Sequence, residues 1–362
     1  MPNPARDSDM DWSFMRTKRI IRLNARLFPV GDYERGIWQH FGMQPIEVEA
    51  ATPAEIIPLV ADCDALFAIS VSLPAEVIDS LAQCQVISRL GTGTDKIAVD
   101  VAKARGIMVT NVPYFCVEEQ ADHTMALLLS LVRGLPLSQQ LMRTGEYRRA
   151  QAAVRTNRRL NGRTIGLVGF GNSAKLTARR AKGFGMHVLA TRRRAIDDPV
   201  AAELGVEMTD LDTLLRRSDY VSLHLPVGAD NHHMIDATAL KKMRPEALLI
   251  NTSRGALVDE MALYAALEAR TIAGAGLDTF ELIDVFAAAE SVPTLPLLHH
   301  PRVIATPHVA AGSIESGQDV ARGGIENLAS ILAGHFPIEE NIVNLGVVPR
   351  VPLLPHDPNL LG

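Results

Sequence analysis

The sequence predicts an α/β protein whose parallel sheets are doubly wound, with helices on both faces. Short apolar segments alternate with longer segments of helical periodicity along almost the whole chain. This alternation is typical of βαβ units. The length of 362 residues suits two domains. The candidate strands include 19–23, 66–70, 164–169, 187–191, 219–225, 247–253 and 272–278.

Composition excludes several classes of protein. The chain has 36 Lys and Arg residues against 41 Asp and Glu, a net charge of −5, which argues against a dedicated nucleic-acid-binding protein. The widely spaced Cys63, Cys84 and Cys116 indicate reduced thiols, and we expect no metal site. The longest apolar run, 125–132, is too short to span a membrane, and the N-terminus lacks an apolar signal segment. We therefore expect a cytoplasmic protein with no nucleic-acid or membrane partner.

The segment TIGLVGFGNSA at 164–174 is the strongest local signal. A predicted strand runs directly into Gly169-x-Gly171-x-x-Ala174, and a helical pattern follows. Gly169 permits a tight turn, Gly171 lets the backbone approach a pyrophosphate, and Ala174 lets the helix pack closely on the strand. The amides at the start of the helix favour phosphate. The turn predicts dinucleotide binding by Gly169, Phe170, Gly171, Asn172 and Ser173.

The next candidate strand ends in three arginines. An NAD-binding domain usually has an Asp or Glu at this point, which hydrogen-bonds the ribose hydroxyls. Here Arg192 occupies that position and the first following acid is Asp197. A guanidinium pairs well with a 2′-phosphate. We therefore expect NADP(H) to be preferred and NAD(H) to be possible, with Arg192 the main determinant and Arg193 or Arg194 in support. The alternative is that the arginines belong to a solvated loop.

Three later segments place chemically active residues where strands should end. They are 251–260, 275–281 and 305–313, which contain Arg254, Asp278 and His308. Reduction of a 2-keto acid by a nicotinamide needs a cation for the substrate and an acid that protonates the developing alkoxide. Histidine titrates near neutral pH, so it can serve as that acid.

These motifs together resemble the D-2-hydroxyacid dehydrogenase family over about residues 60–345. The resemblance rests on the nucleotide turn and on RLGTGTDKI, VPYFCVEEQADHTMALLLSLVR, LHLP, NTSRGALVD and TPHVAAG, which begin at 89, 112, 223, 251 and 306. It implies two Rossmann-like domains. A discontinuous substrate domain would comprise 1–117 and 315–362, and a dinucleotide-binding domain would comprise 118–314.

The resemblance also bears on residues 134–162, which read equally well as a linker or as an arm that holds a partner subunit. Members of the family are usually dimers, which favours the arm and a homodimer. The stretch from 112 to 123 is similar to the branch that includes the C-terminal-binding-protein corepressors.

The resemblance implies roles for individual residues. Arg254 would bind the substrate carboxylate and keto oxygen, and His308 would be the general acid/base. Asp278 would lie near the nicotinamide carboxamide, and Pro226 and Thr252 would border the cofactor. The implied substrate-binding residues, besides Arg254, are Ser70, Val71, Gly91 and Thr92.

The sequence departs from the family at one catalytic position. The family has a glutamate five residues after the aspartate that matches Asp278, where it orients the histidine and keeps its pKa high. Ile283 occupies that position here. Glu281 is the expected substitute, with Asp284, Glu290 or no carboxylate as alternatives.

The sequence thus favours an NADP(H)-preferring enzyme that interconverts a small 2-keto acid and its D-2-hydroxy acid. Two alternatives stay open. One is a nucleotide-sensing interaction protein like the corepressors. The other is a dehydrogenase of a small anion such as phosphite or formate.

Overall fold

The computed structural model describes residues 11–26, 28–193, 198–286 and 292–361. The chain forms two units. We call Met1–Phe115 with Ser313–Gly362 the terminal unit, because it contains both chain ends, and Cys116–Gly312 the central unit. Each contains a parallel sheet flanked by helices, which confirms the predicted fold class.

The sheet of the terminal unit has the strand order β2-β1-β3-β4-β5, and every pair is parallel. All four residues of β1 and of β3 are buried, as expected for central strands covered on both faces. Its strands are β1 Ile20–Leu23, β2 Ile46–Val48, β3 Ala65–Ala68, β4 Val86–Arg89 and β5 Met108–Thr110.

The sheet of the central unit has the order β12-β11-β10-β9-β6-β7-β8, again with parallel pairs throughout. The chain enters at β6, builds outward to β8, and then returns to β9 on the other side of β6. The order therefore reverses between β6 and β9, which is where such sheets bind ligands. The strands are β6 Thr164–Val168, β7 His187–Thr191, β8 Glu207–Met208, β9 Tyr220–Leu223, β10 Leu248–Asn251, β11 Gly274–Leu277 and β12 Val303–Ala305.

Several helices of the central unit start where a short polar residue caps them. Asp210, Asp236 and Asp259 each accept hydrogen bonds from backbone amides in the first turn of the following helix. Within the described residues, no helix is long and apolar enough to cross a membrane. The helices are α1 Asp32–His40, α2 Pro53–Val60, α3 Ala75–Ser80, α4 Val99–Ala104, α5 Val117–Arg133, α6 Leu135–Arg143, α7 Tyr147–Ala153, α8 Asn172–Gly183, α9 Pro199–Glu203, α10 Leu211–Arg217, α11 Ala237–Lys242, α12 Glu260–Glu268 and α13 Ile314–Leu332.

The core of the central unit lies on both faces of its sheet. Successive residues of one strand point to opposite faces. Leu249 accordingly joins a cluster with Leu263 of α12, whereas Ile250 joins a second cluster with Leu128 of α5 and Ala178 of α8. This two-sided burial explains the nearly continuous apolar strands of the sequence.

The segment 134–162, predicted to be either a linker or an arm, carries the helices α6 and α7. Several large apolar side chains on it are exposed, including Leu135, Met142 and Tyr147. Exposed apolar side chains of this kind are typical of a surface that another protein covers.

Candidate active site

The register of the central sheet brings the ends of six strands into one row. Val168 pairs with Thr191 and Leu223, Asn251 pairs with Leu223 and Leu277, and Leu277 pairs with Ala305. The residues that follow this row therefore lie at one edge, which we call the carboxyl edge of the central sheet. The predicted residues within three positions of the row are Gly169, Phe170, Gly171, Arg192, Arg193, Pro226, Thr252, Arg254, Asp278 and His308.

The glycine turn after β6 has the geometry of a phosphate cradle. Gly169 has φ +96°, and a Cβ added there would lie 2.3 Å from the carbonyl oxygen of His224. A Cβ on Gly171 would meet nothing within 4 Å, so space is open beside the backbone at the start of α8. No side chain caps that start, at Asn172 and Ser173. An open, uncapped helix start fits a bound pyrophosphate. Phe170 is buried, so it can offer only its backbone.

A buried histidine, His224, packs against this turn. The ring of His224 is hydrogen-bonded at Nδ1 to the hydroxyl of Ser173, at 3.2 Å, and at Nε2 to the hydroxyl of Ser222, at 2.9 Å. Burial lowers the pKa of His224 to about 4, so the ring is neutral at neutral pH. Sequence reasoning did not single out this residue, although the LHLP motif contains it.

The arginine after β7 already has an acidic partner. Arg192 Nη1 lies 3.0 Å from Asp198 Oδ2, and Lys175 Nζ lies 2.9 Å from the same oxygen. The hydrogen bond from Lys175 holds the pKa of Asp198 below its usual range. No acid lies between Arg192 and Asp197, as the sequence analysis states, but the next residue, Asp198, pairs with Arg192 and also caps α9.

The other arginines of this cluster differ from Arg192. Arg193 pairs with Asp230 at 3.1 Å, and both side chains are exposed. Arg194 and Asp197 lie outside the described residues. Lys175, in the first turn of α8, is a second cation at the end of β7 that the sequence analysis missed. Its position just after the Gly-x-Gly-x-x-Ala motif could have indicated it.

The loop after β10 is fixed by its own first residue. The side-chain amide of Asn251 donates to the carbonyl of Arg254 at 2.8 Å, and its oxygen accepts from the amide of Ser253 at 3.0 Å. A Cβ on Gly255 would lie 2.0 Å from the carbonyl carbon of Phe280. Only glycine therefore lets this loop pack against the chain that follows β11. Arg254 is held at a defined position, half-buried.

Helix α5 supports the same loop. The carbonyl of Thr252 accepts from Gln120 Nε2 at 2.8 Å, and its hydroxyl is hydrogen-bonded to the hydroxyl of Thr124 at 3.0 Å. Pro226 is exposed at the end of β9, and its carbonyl accepts from the side chain of Asn231. Both residues predicted to border the cofactor thus lie at the carboxyl edge.

Asp278 is buried and holds the turn that carries His308. Its Oδ1 accepts from the hydroxyl of Thr306 at 2.5 Å and from the amide of Val309 at 3.0 Å, and its Oδ2 accepts from the amide of Ala310 at 2.8 Å.

The turn is braced a second time at Thr306. The hydroxyl gives its proton to Asp278 and lies 2.9 Å from Nε2 of His123, from which it accepts. His308 itself has φ +57°, a conformation uncommon outside glycine. Observed strain of this kind is frequent at active sites. Both oxygens of Asp278 therefore serve the turn that carries His308, and its position near the nicotinamide stays a prediction.

Glu281 lies against two other histidines. Its Oε1 is 2.8 Å from His232 Nε2, and its Oε2 is 2.5 Å from His233 Nε2. Both carboxylate oxygens are engaged, so this geometry does not support the expected pairing of Glu281 with His308.

The chain that follows Glu281 does approach His308. The ring of Phe286 packs against the ring of His308, with centroids 5.1 Å apart. The carboxylate of Asp284 accepts from the amide of Phe286. Glu290 lies outside the described residues. The alternatives for His308 therefore remain Asp284, Glu290 or no carboxylate partner.

The four substrate-binding residues predicted for the terminal unit follow β3 and β4, which pair side by side. Ser70 has φ +43° and Gly91 has φ +131°, so the chain turns sharply after each strand. Val71 is buried, and the hydroxyl of Thr92 donates to the carbonyl of Val112 at 3.4 Å. Their contact with substrate stays a prediction.

Comparison with known proteins gives consistent matches. The family model for the NAD-binding domain of D-isomer-specific 2-hydroxyacid dehydrogenases matches residues 125–310. The glyoxylate reductase of Korarchaeum cryptofilum is 38% identical over 324 residues, which cover 87% of this chain and 94% of that protein.

Solved structures agree. The NADPH-dependent glyoxylate/hydroxypyruvate reductase of Sinorhizobium meliloti, in complex with citrate, is 28% identical with a TM-score of 0.77, over 93% of this chain and 100% of that one. The D-lactate dehydrogenase of Lactobacillus jensenii with NAD+ is 27% identical with a TM-score of 0.71, over 88% and 99%. The resemblance drawn from the motifs is confirmed, and the chain belongs to the D-isomer-specific 2-hydroxyacid dehydrogenase family of oxidoreductases.

Proposed function

We propose that this protein is an NADP(H)-preferring reductase of small 2-keto acids that forms the D-2-hydroxy acid. One observation carries the proposal: the strand register places the phosphate cradle, Arg254 and the turn of His308 at one edge of one sheet. Relatives named glyoxylate reductase and glyoxylate/hydroxypyruvate reductase favour a two- or three-carbon substrate.

The side chains at this edge supply complementary chemistry. A bound nicotinamide would provide the hydride. The guanidinium of Arg254 pairs with the substrate carboxylate and stabilises negative charge that develops on the keto oxygen. His308 donates a proton to that oxygen. Asp278 acts as a positioning residue, because it accepts from the hydroxyl of Thr306 before His308 and from the backbone amides of Val309 and Ala310 after it.

The charges at the end of β7 support the NADP(H) preference. Arg192 and Lys175 share one carboxylate oxygen of Asp198, which leaves an excess of positive charge among these three groups. A 2′-phosphate would balance that excess, whereas the free ribose hydroxyls of NADH would not.

We also propose that the protein is a homodimer held by α6 and α7. The exposed Leu135, Met142 and Tyr147 would be covered by the second copy. Sedimentation of the intact chain measures this directly, and a monomer at micromolar concentration would contradict it.

The function is tested with a panel of 2-keto acids from two to six carbons, each assayed with NADPH and with NADH. We expect turnover of glyoxylate or hydroxypyruvate, with the D isomer formed wherever the product is chiral. Phosphite and formate, assayed with the oxidised cofactors, test the small-anion alternative. Cofactor binding without turnover of any compound would favour the sensing role instead.

A further inference from the structure

His232, His233 and Glu281 form a cluster outside the catalytic residues. Their side-chain ligand atoms all lie within 4.8 Å of one another. The two imidazole rings stack with centroids 3.9 Å apart, and both Nε2 atoms point to the same carboxylate. We propose that this cluster is a binding site for a divalent transition-metal ion of the Zn²⁺ class.

The donor chemistry fits such an ion. Imidazole nitrogen is a good ligand for Zn²⁺, Cu²⁺ and Ni²⁺, and a carboxylate oxygen completes a common three-ligand set. Zinc binds these atoms at about 2.0–2.2 Å, so ligand atoms around one ion lie roughly 3.3 Å apart. The hydrogen-bonded distances of 2.8 Å and 2.5 Å need to open only slightly for an ion to replace the shared protons.

Both halves of the cluster are anchored to the same stretch of chain. The amide of His233 donates to the carbonyl of Ala256 at 2.8 Å, and His233 is held at φ +50°. The amide of Glu281 donates at 2.6 Å to the carboxylate of Glu260, which is buried. The backbone on each side is therefore fixed before an ion binds, which limits the ordering that binding requires.

The cluster is open to solvent. The side chains of His232, His233 and Glu281 are 52%, 36% and 28% exposed. An ion can therefore enter without a conformational change, and water can occupy the remaining coordination position. The three ligands come from two segments about 50 residues apart in sequence, so a bound ion would link the loop after β9 to the chain after β11.

The experiment is calorimetric titration of the chelator-treated full chain with Zn²⁺, repeated with Co²⁺ to record visible absorption. We expect one strong site per chain and a Co²⁺ spectrum without the intense charge-transfer bands of thiolate ligation. His232→Gln, His233→Gln and Glu281→Gln should each weaken binding by roughly tenfold or more. His187→Gln, which removes an exposed histidine elsewhere in the central unit, should leave binding unchanged.

Glu281→Gln keeps the size of the side chain, and the melting temperature of each metal-free variant verifies that it is folded. Failure of the wild-type chain to bind Zn²⁺ would overturn the proposal. So would equal affinity in wild type, His232→Gln and Glu281→Gln, or a thiolate spectrum with Co²⁺, because the ion would then lie elsewhere. The readout is binding rather than turnover, so the result is independent of the proposed function.

Discussion

The two halves of the carboxyl edge of the central sheet are built differently. In the half after β10 to β12, the buried carboxylate of Asp278 and the side-chain amide of Asn251 form hydrogen bonds with backbone groups. These hydrogen bonds fix the backbone positions of Arg254 and His308. In the half after β7, the cations are exposed or half-buried and form ion pairs with nearby acids, as Arg192 does with Asp198. Under the proposed function, this difference means that the backbone-fixed groups perform the chemistry, whereas the solvent-facing charges adjust cofactor selectivity.

The largest effect should come from the catalytic half. His308→Ala removes the proposed proton donor, and we expect kcat for glyoxylate reduction to fall roughly 10²- to 10⁴-fold. Steady-state kinetics at saturating cofactor measure this. His299→Ala, at an exposed histidine in the same unit, is the matched control. Activity of His308→Ala close to wild type would remove His308 from the mechanism.

Asp278→Asn tests the buried support of that histidine. The amide group turns one hydrogen-bond acceptor into a donor, which would face a backbone N–H of Val309 or Ala310 or the hydroxyl of Thr306. Hydrogen bonds to charged groups contribute about 1.5–3 kcal/mol, so we expect a comparable loss in the free energy of unfolding. We also expect kcat to fall while binding of NADPH is kept.

Chemical denaturation and fluorescence titration measure these two quantities. Asp62→Asn breaks an exposed ion pair with Arg19 and serves as the control, with an expected loss below about 1 kcal/mol. Equal losses in the two variants would mean that Asp278 does not support the turn.

His224 allows the cofactor half to be tested through pH. The fold lowers its pKa from 6.5 to about 4, so between these values the unfolded chain binds a proton here and the folded chain does not. The contribution of His224 to the free energy of unfolding is nearly constant above pH 6.5. It falls as the pH drops toward 4, so the fold becomes less stable. Between pH 7 and pH 5 the free energy of unfolding decreases by about 2 kcal/mol for this reason.

The measurement compares the free energy of unfolding of wild type and His224→Gln at both pH values. The variant should be less stable at pH 7, because it disturbs the contacts with Ser173 and Ser222, and the gap should narrow by about 2 kcal/mol at pH 5. His187→Gln is the control for losing a histidine. A gap that does not change with pH would mean that folding does not lower the pKa of His224.

The sequence alone predicts the parts of the site that depend on local backbone. The glycine turn, the strand that precedes it and the ends of β10, β11 and β12 follow from patterns within about ten residues, and the parallel sheets follow from repetition of those patterns. Side-chain partners are harder to predict. Glu281 meets His232 and His233 about 50 residues away, and Asp198 turns back onto Arg192 from the start of α9. Neither pairing leaves a local signal, because each depends on how loops pack after the sheet has formed.

The smallest expected effect concerns cofactor choice at the end of β7. Arg192→Ala should lower the ratio of kcat/KM with NADPH to that with NADH by roughly tenfold. This corresponds to about 1.5 kcal/mol, the lower end for a charge-assisted contact, because Asp198 competes for the guanidinium. Lys175→Ala should lower the ratio in the same direction, since Lys175 shares that carboxylate. Arg193→Ala should lower the ratio less than Arg192→Ala does, because Arg193 is predicted only to support Arg192 and its ion pair with Asp230 is exposed. All variants are compared at one ionic strength, because salt screens exposed charges. A wild-type preference for NADH, or a ratio in Arg192→Ala equal to that of wild type, would mean that these cations belong to a solvated loop and do not select the cofactor.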